Sequence, residues 1–387
     1  MNAAVESLSP LSRPDPSPLA PRPSPQTITP RRIVVIRLDR LGDVILSTPV
    51  LQTLRERFPH LFMAMMVQPA CREAVDGNPY LNEVIVYEKE GAHRTIRGTL
   101  RFARQLRRYD FDTALVLHPS NRSHWIPWLA GIPIRIGYAR KSGWLLTHRI
   151  PHRKQEGAKH EAIYTLELLA VFGIVPPPIP RAVVVVQAAA DHRVQELLAR
   201  ASLSGQDSLV AIHPSASCVS KRWLPERFAQ VADRLIKERG LHVCLVAGPD
   251  DVPYANHVAS LMQRTVLNLA GRLSVAELAA LLRRSGLLIS NDSGPVHLAA
   301  AVGTPVVDIF GRNQRGLSPQ RWGPLGEGHV ILHKEVGCVT CLAHRCDIGF
   351  QCLAALSAEE VYHAAVAVLD RGGNRSPKLS RLSAEGD

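Results

Sequence analysis

Residues 290–297, Ser-Asn-Asp-Ser-Gly-Pro-Val-His, lie between the apolar runs 287–289 and 298–302 and are the richest site for chemistry along the chain. A strand that breaks on Asp-Ser-Gly and resumes as a helix with Pro in its first turn leaves several unpaired backbone N–H groups facing one point. Such a point attracts phosphate. Gly303 is placed to close that helix, and 305–310 reads as the strand that follows it.

Three further stretches place reactive side chains after an apolar strand. In 33–49 a buried run leads into Arg37, Gly42 permits a tight backbone, and Asp43 opens the next helix. Asp43 is either a helix cap or a general base held at a strand's carboxyl end. In 212–225, Ser215 and Ser217 stand close to Lys221 and Arg222. Hydroxyls, loop amides and a compact ammonium suit a diphosphate, although a solvated polar loop would read the same. The Gly spacing of a Walker loop is absent. In 243–251 a strand ends on Gly248-Pro249 followed by Asp250 and Asp251, which suit either ribose hydroxyls or turn chemistry.

Short β-branched runs at 33–36, 62–67, 83–87, 113–117, 209–212, 242–246, 287–290 and 306–310 alternate with helical patterns at 44–57, 95–108, 160–173, 225–239, 274–284 and 295–302. This alternation predicts parallel sheets with crossover helices, an α/β protein. Val175-Pro176-Pro177-Pro178-Ile179-Pro180 separates two such series, so a linker is expected around 174–190. The expected units are a Pro-rich disordered leader (1–30), an N-terminal domain (31–180), a C-terminal domain (190–370) and a disordered tail (371–387). A ligand would lie between the two sheets, at the carboxyl ends of their strands.

With 387 residues, 46% apolar and 21% charged, the chain has the composition of a globular protein of about two domains. Its net charge of +12 favours a polyanionic partner, whether nucleic acid, an anionic membrane or a phosphorylated substrate. No apolar run approaches the roughly 20 residues that span a bilayer, and the leader lacks a signal-peptide h-region, so a cytoplasmic location with reduced thiols is expected. Arg94, Arg97, Arg101, Arg104 and Arg108 fall on one side of a helix, opposite Ile96, Leu100, Ala103 and Leu106. Such a stripe is either a solvated face or, at Arg97, Arg101 and Arg104, a surface for a phosphorylated acceptor or the anionic inner face of a membrane. Cys338, Cys341, Cys346 and Cys352 have the spacing of a zinc knuckle only in their first pair. Asp110-Phe111-Asp112 fits a metal-binding Asp-x-Asp pattern, but it stands at a strand entrance, where charged residues are common.

Taken together, Arg37 and Gly42-Asp43 with Pro49, the Lys221-Arg222-Trp223 loop before Pro225, and Asn291 to His297 followed by Gly303-Thr304-Pro305 resemble glycosyltransferase family 9, the ADP-heptose:lipopolysaccharide heptosyltransferases. The resemblance spans roughly residues 32–370 and implies a GT-B fold, two Rossmann-like domains facing across a cleft. It also implies inverting, metal-independent transfer of heptose from ADP-heptose to the lipopolysaccharide inner core, by an enzyme peripheral to the inner face of the inner membrane. Asp43 would be the base, with Ser215, Ser217 and Lys221 at the leaving ADP and Asp250 or Asp251 at the ribose. Asp292 would meet the heptose, and Ser293, Gly294 and His297 the diphosphate. No cofactor is implied for catalysis, while a structural Zn or Fe at the Cys group is an option, since related protein-modifying members bind iron through such cysteines. The residues also admit transfer to a protein or from another sugar nucleotide, a non-catalytic nucleotide-sugar binder, or a basic nucleic-acid-binding protein. The last lacks any nucleic-acid-binding motif, so no nucleic-acid partner is expected.

Overall fold

A computed structural model describes residues 28–203, 209–338, 341 and 344–372. Most of the expected leader and tail, 1–27 and 373–387, lies outside the described residues. The N-terminal half builds a parallel sheet from β1 (Arg32–Ile36), β2 (Phe62–Val67), β3 (Glu83–Val86), β4 (Thr113–Val116), β5 (Ile134–Tyr138) and β6 (His148–Ile150), in the order β3-β2-β1-β4-β5-β6. The C-terminal half repeats it with β7 (Leu209–His213), β8 (His242–Leu245), β9 (Leu267–Asn268), β10 (Leu287–Asn291), β11 (Val306–Ile309) and β12 (Val330–Leu332), ordered β12-β11-β10-β7-β8-β9. The order in which successive strands are added reverses between β1 and β4 in one sheet and between β7 and β10 in the other, with every strand still parallel. A doubly wound sheet binds ligands at such a switch point.

Both faces of each sheet are covered, which explains why the central strands are apolar throughout instead of alternating. Ile33 and Val35 enter one core with the helix Thr48–Arg57, while Val34 and Ile36 face Phe102, Leu106 and Ile126 on the other side. In the second half, Val210, Ile212, Leu287 and Ile289 pack on Trp223, Phe228 and Leu235, while Ala211 and Leu288 face the helices Val275–Arg283 and Gly294–Ala301. Ile45 of the first half is buried in this last core, so apolar packing runs across the junction.

Local chemistry refines several expectations. The helix expected over 44–57 is two helices, Leu41–Ile45 and Thr48–Arg57, because Pro49 has no N–H to continue the ladder and Thr48 Oγ1 donates instead to Ile45 O at 2.8 Å. The helix expected over 95–108 runs Ile96–Leu106, with Thr95 capping Gly98 N. Ile96 does not join its buried face. It is 82% exposed in the first turn, while Phe102, Ala103 and Leu106 further along the helix enter the core. Asp112 accepts from the amides of Arg31 and Arg32 and so tethers a strand entrance, while Asp110 is an exposed left-handed turn residue at φ 49°. Between the halves, Val183 N donates to Thr48 Oγ1 at 2.8 Å and Gln187 Nε2 to Asp76 O at 2.9 Å, fastening the connecting segment to the first half. No helix among the described residues is long and apolar enough to cross a membrane.

The halves touch where glycine removes a side chain. A Cβ on Gly42 would lie 2.5 Å from His297 Cδ2, and one on Gly157, at φ +62°, would lie 1.8 Å from Arg315 O. Gly157→Ala should therefore wedge the halves apart and strain the backbone, costing about 1–3 kcal/mol. Small-angle scattering should show a larger radius of gyration, and the melting temperature should fall; an unchanged scattering profile would refute the wedge.

Candidate active site

The loops after β1 and β4 face those after β7 and β10 across a cleft of ≈ 1030 Å³. On the first side Arg37, fully buried, fans its guanidinium over three carboxylates. Its Nε donates to Asp39 at 2.7 Å, its Nη2 to Asp43 at 2.6 Å, and both Nη atoms reach Glu161 Oε1 at 3.2 Å. The helix Leu41–Ile45 has no side-chain cap, so Asp43 is engaged by Arg37 rather than by amides at the helix start. Glu161 is also buried; it receives Lys154 Nζ at 2.6 Å and, from the opposite half, Arg321 Nη2 at 2.7 Å.

These charges set one another's protonation. Burial opposes the Glu161 charge, but Lys154, Arg37 and Arg321 together hold its carboxyl well below the usual range. Burial lowers the Lys154 ammonium to about 8, against the attraction of Glu161. Asp39 is pushed up to about 7, chiefly by burial, with Asp43 adding and Arg37 opposing. Its Oδ2 also lies 3.2 Å from His118 Nδ1.

On the second side, Asp292 is almost fully buried and its Oδ2 takes Lys221 Nζ at 2.8 Å and Arg312 Nη2 at 3.0 Å. Asp308 is buried without a hydrogen-bond partner, and burial together with the Asp292 charge pushes its carboxyl well above the usual range. The helix Gly294–Ala301 starts at Ser293 with no side-chain cap and with Pro295 in its first turn. Ser293 Oγ and Ser290 Oγ share His213 Nδ1, and burial holds the imidazole neutral, with a pKa of about 4. Burial likewise lowers His297 to about 4. The two helix starts nearly touch, since a Cβ on Gly294 would lie 3.5 Å from Gly42 N.

The cleft thus gathers Asp43, Ser217, Lys221, Asp251, Asp292, Ser293, Gly294 and His297. Ser215 does not line it; fully buried, it bonds His213 Nε2 at 3.1 Å beneath the loop. Asp250 is exposed outside it, whereas Asp251 lines it and pairs with Arg222 at 3.3 Å. Ser217 reaches across to Arg40 Nη1 at 3.0 Å. Glu161, Lys154, Arg312 and Arg321 are functional candidates missed by sequence reasoning; Lys154, Arg312 and Arg321 stand in polar stretches that carry no distinguishing signal, and Glu161 only opens the largely apolar stretch 161–172. Arg97, Arg101 and Arg104 are exposed, away from the cleft lining. Among the described residues, no three His, Cys, Asp or Glu come together in a way that would hold a metal ion. Cys346 Sγ accepts from Phe350 N, and Cys352 Sγ donates to Gly311 O, so these thiols are engaged by backbone.

Residues 99–350 match the sequence model of glycosyltransferase family 9 (heptosyltransferase). The chain belongs to that family. Lipopolysaccharide heptosyltransferase 3 of Escherichia coli K12 is 27% identical over 355 residues, covering 88% of this chain and 99% of that protein. A family 9 glycosyltransferase structure from Veillonella parvula superimposes with a TM-score of 0.80 at 27% identity, covering 88% and 98% of the two chains. The structure of E. coli ADP-heptose lipopolysaccharide heptosyltransferase II gives 0.73 at 23%, covering 88% and 99%, and shares the GT-B fold. The family 9 chain is thus a glycosyltransferase with paired parallel sheets.

Glu161→Gln would leave Arg37, Lys154 and Arg321 short of one buried countercharge, an expected loss of about 3–5 kcal/mol. Because folding lowers the Glu161 pKa, its stabilisation is present above the ordinary carboxylate range and lost as pH falls through the folded value. Urea unfolding of wild type and variant should therefore differ most near neutral pH and converge in acid; a constant gap would count against the network.

Proposed function

We propose that this enzyme transfers heptose from ADP-heptose to the inner core of lipopolysaccharide, with inversion and without a divalent ion. The observation that carries this reading is the close approach of the Asp43 helix to the uncapped Gly294 helix, which sets a carboxylate opposite an anion-seeking amide group. Family membership and relatives named as lipopolysaccharide heptosyltransferases support the substrate class.

The N-terminal half (31–180) would hold the acceptor and the C-terminal half (190–370) the sugar nucleotide. Asp43 takes the proton from the acceptor hydroxyl, whose oxygen attacks the anomeric carbon. The bond from that carbon to the diphosphate breaks on the opposite face, so configuration inverts. The charge released on the diphosphate is received by Lys221, Arg312, Ser217 and the amides at 293–294, which are fixed before the reaction begins. Asp292 already holds Lys221 and Arg312 on one oxygen and offers the other to a sugar hydroxyl. Asp251 is assigned to the ribose, with Val246, Leu273, Val275 and Leu278 of the same cleft offering apolar surface to the base. A lipid-anchored acceptor would keep the enzyme peripheral to the inner face of the inner membrane.

Asp43→Asn should lower kcat by about 10²–10⁴-fold while leaving the KM for ADP-heptose nearly unchanged, as read by ADP release with a heptose-deficient core acceptor. Turnover equal to wild type would remove Asp43 from the mechanism. The charge on Asp39 supplies a second test. As pH rises through about 7, Asp39 ionises beside Arg37 and adds a negative charge to the acceptor side of the cleft. The kcat/KM profile should therefore climb through neutrality in the wild type, and that limb should vanish in Asp39→Asn. A limb unaltered by the substitution would exclude Asp39 as its source.

A further inference from the structure

Between residues 91 and 150 eleven Arg and Lys stand against two Asp, so this segment holds a surplus of nine positive charges out of +12 for the whole chain. Arg94, Arg97, Arg101, Arg104, Arg107 and Arg108 are all exposed. The same segment carries three of the five Trp. Trp125 and Trp128 project from the helix Asn121–Leu129, and Trp144 from the turn Gly143–Leu145. They are 36%, 43% and 60% exposed. Their rings meet edge to face, Trp125 lying 5.4 Å from Trp128 and 5.9 Å from Trp144.

The aromatic cluster and the Arg stripe form one surface. Arg107 Nη2 donates to Leu129 O at 2.8 Å and Arg122 Nη2 to Arg94 O at 2.9 Å, which ties the Trp helix to the Arg helix. Arg149 donates to Trp144 O at 3.0 Å, and Arg140 and Lys141 precede that turn, so basic groups also flank the third ring. Ile96 adds an exposed apolar side chain at the start of the Arg helix. Water alone gives no reason to display this much apolar surface in one place. Indole rings prefer the headgroup level of a bilayer, where their faces meet apolar matter and their N–H groups stay wet, and Arg is drawn to anionic lipid.

The surface also starts at the cleft. Ser120, Asn121 and Arg122 line a side pocket of ≈ 390 Å³ that shares Asp39, Arg40 and His118 with the main cleft. Trp125 and Trp128 follow about 6 and about 10 Å further along the helix axis. We infer that Trp125, Trp128 and Trp144, with the surrounding Arg side chains, form a docking surface for an anionic phospholipid bilayer, the rings seated at headgroup depth. Only the purpose of this surface, delivery of a lipid-held acceptor to the cleft, rests on the proposed heptosyl transfer.

The test uses the full chain with vesicles of phosphatidylcholine, with or without phosphatidylglycerol, and neither donor nor acceptor. Co-sedimentation is expected with the anionic vesicles only, with tryptophan emission shifted to the blue and quenched by brominated acyl chains. Trp144→Ala, in an exposed turn that leaves the cores intact, should weaken binding about tenfold, and adding Trp125→Ala should weaken it further. Arg97→Glu with Arg101→Glu and Arg104→Glu should remove the salt-sensitive part of binding. Trp144→Ala should leave transfer to a delipidated acceptor unchanged and slow transfer to a vesicle-embedded one. Failure to bind anionic vesicles, binding that keeps its strength without the Trp side chains, or Trp substitutions that instead dissolve a dimer of this chain would each overturn the inference. A chain that binds vesicles but transfers no heptose would overturn the functional reading and leave this one standing.

Discussion

Everything in the cleft depends on the Arg37 guanidinium and on the buried carboxylate that holds it. Arg37 belongs to the loop after β1, yet Glu161 fixes its plane from the start of a helix 124 residues later. Removing these charges from water is costly, and the cost is offset only because Glu161 gathers Lys154 and Arg321 as well, so that every buried charge has a close partner. The network aims Asp43 into the cleft and binds the second half to the first through Arg321. The Asp43 carboxylate and the contact between the halves are thereby parts of one electrostatic unit.

The opposite wall follows the same logic with the sign reversed. Asp292 is a buried acid that keeps two cations, Lys221 and Arg312, in place before any anion arrives. Asp308 lies near enough to feel the Asp292 charge, and burial together with that charge pushes its carboxyl well above the usual range. Neutral His213 organises Ser215, Ser290 and Ser293 without adding charge of its own. An incoming diphosphate would thus meet positive charge already positioned.

Much of this was legible in the sequence because it is local. The eight β-branched runs became strands within a residue or so of their expected ends, since a central parallel strand is apolar on both faces and stands out. The strands that escaped notice, β5, β6, β9 and β12, lie toward the sheet margins, where β5, β6 and β9 mix polar and apolar residues and β12 is only three residues long. The helix Asn121–Leu129 carries Pro127 and has no apolar stripe of helical period, so its pattern does not announce a helix. Ile96 fitted the helical period but occupies the first turn, before that helix reaches its core. The pairing of Arg37 with Glu161, and the burial of Ser215 beside His213, depend on the tertiary fold, which spacing along the chain does not reveal.

The glycines at the junction carry a consequence for how the enzyme must cycle. Gly42 lies against His297, and Gly157 against the backbone of Arg315, with no room left for even a methyl group. Contacts so close do not yield gradually, because packed backbone has little slack to stretch. Any parting of the halves would have to release both contacts together, and their return would bring the two walls back to the same gap.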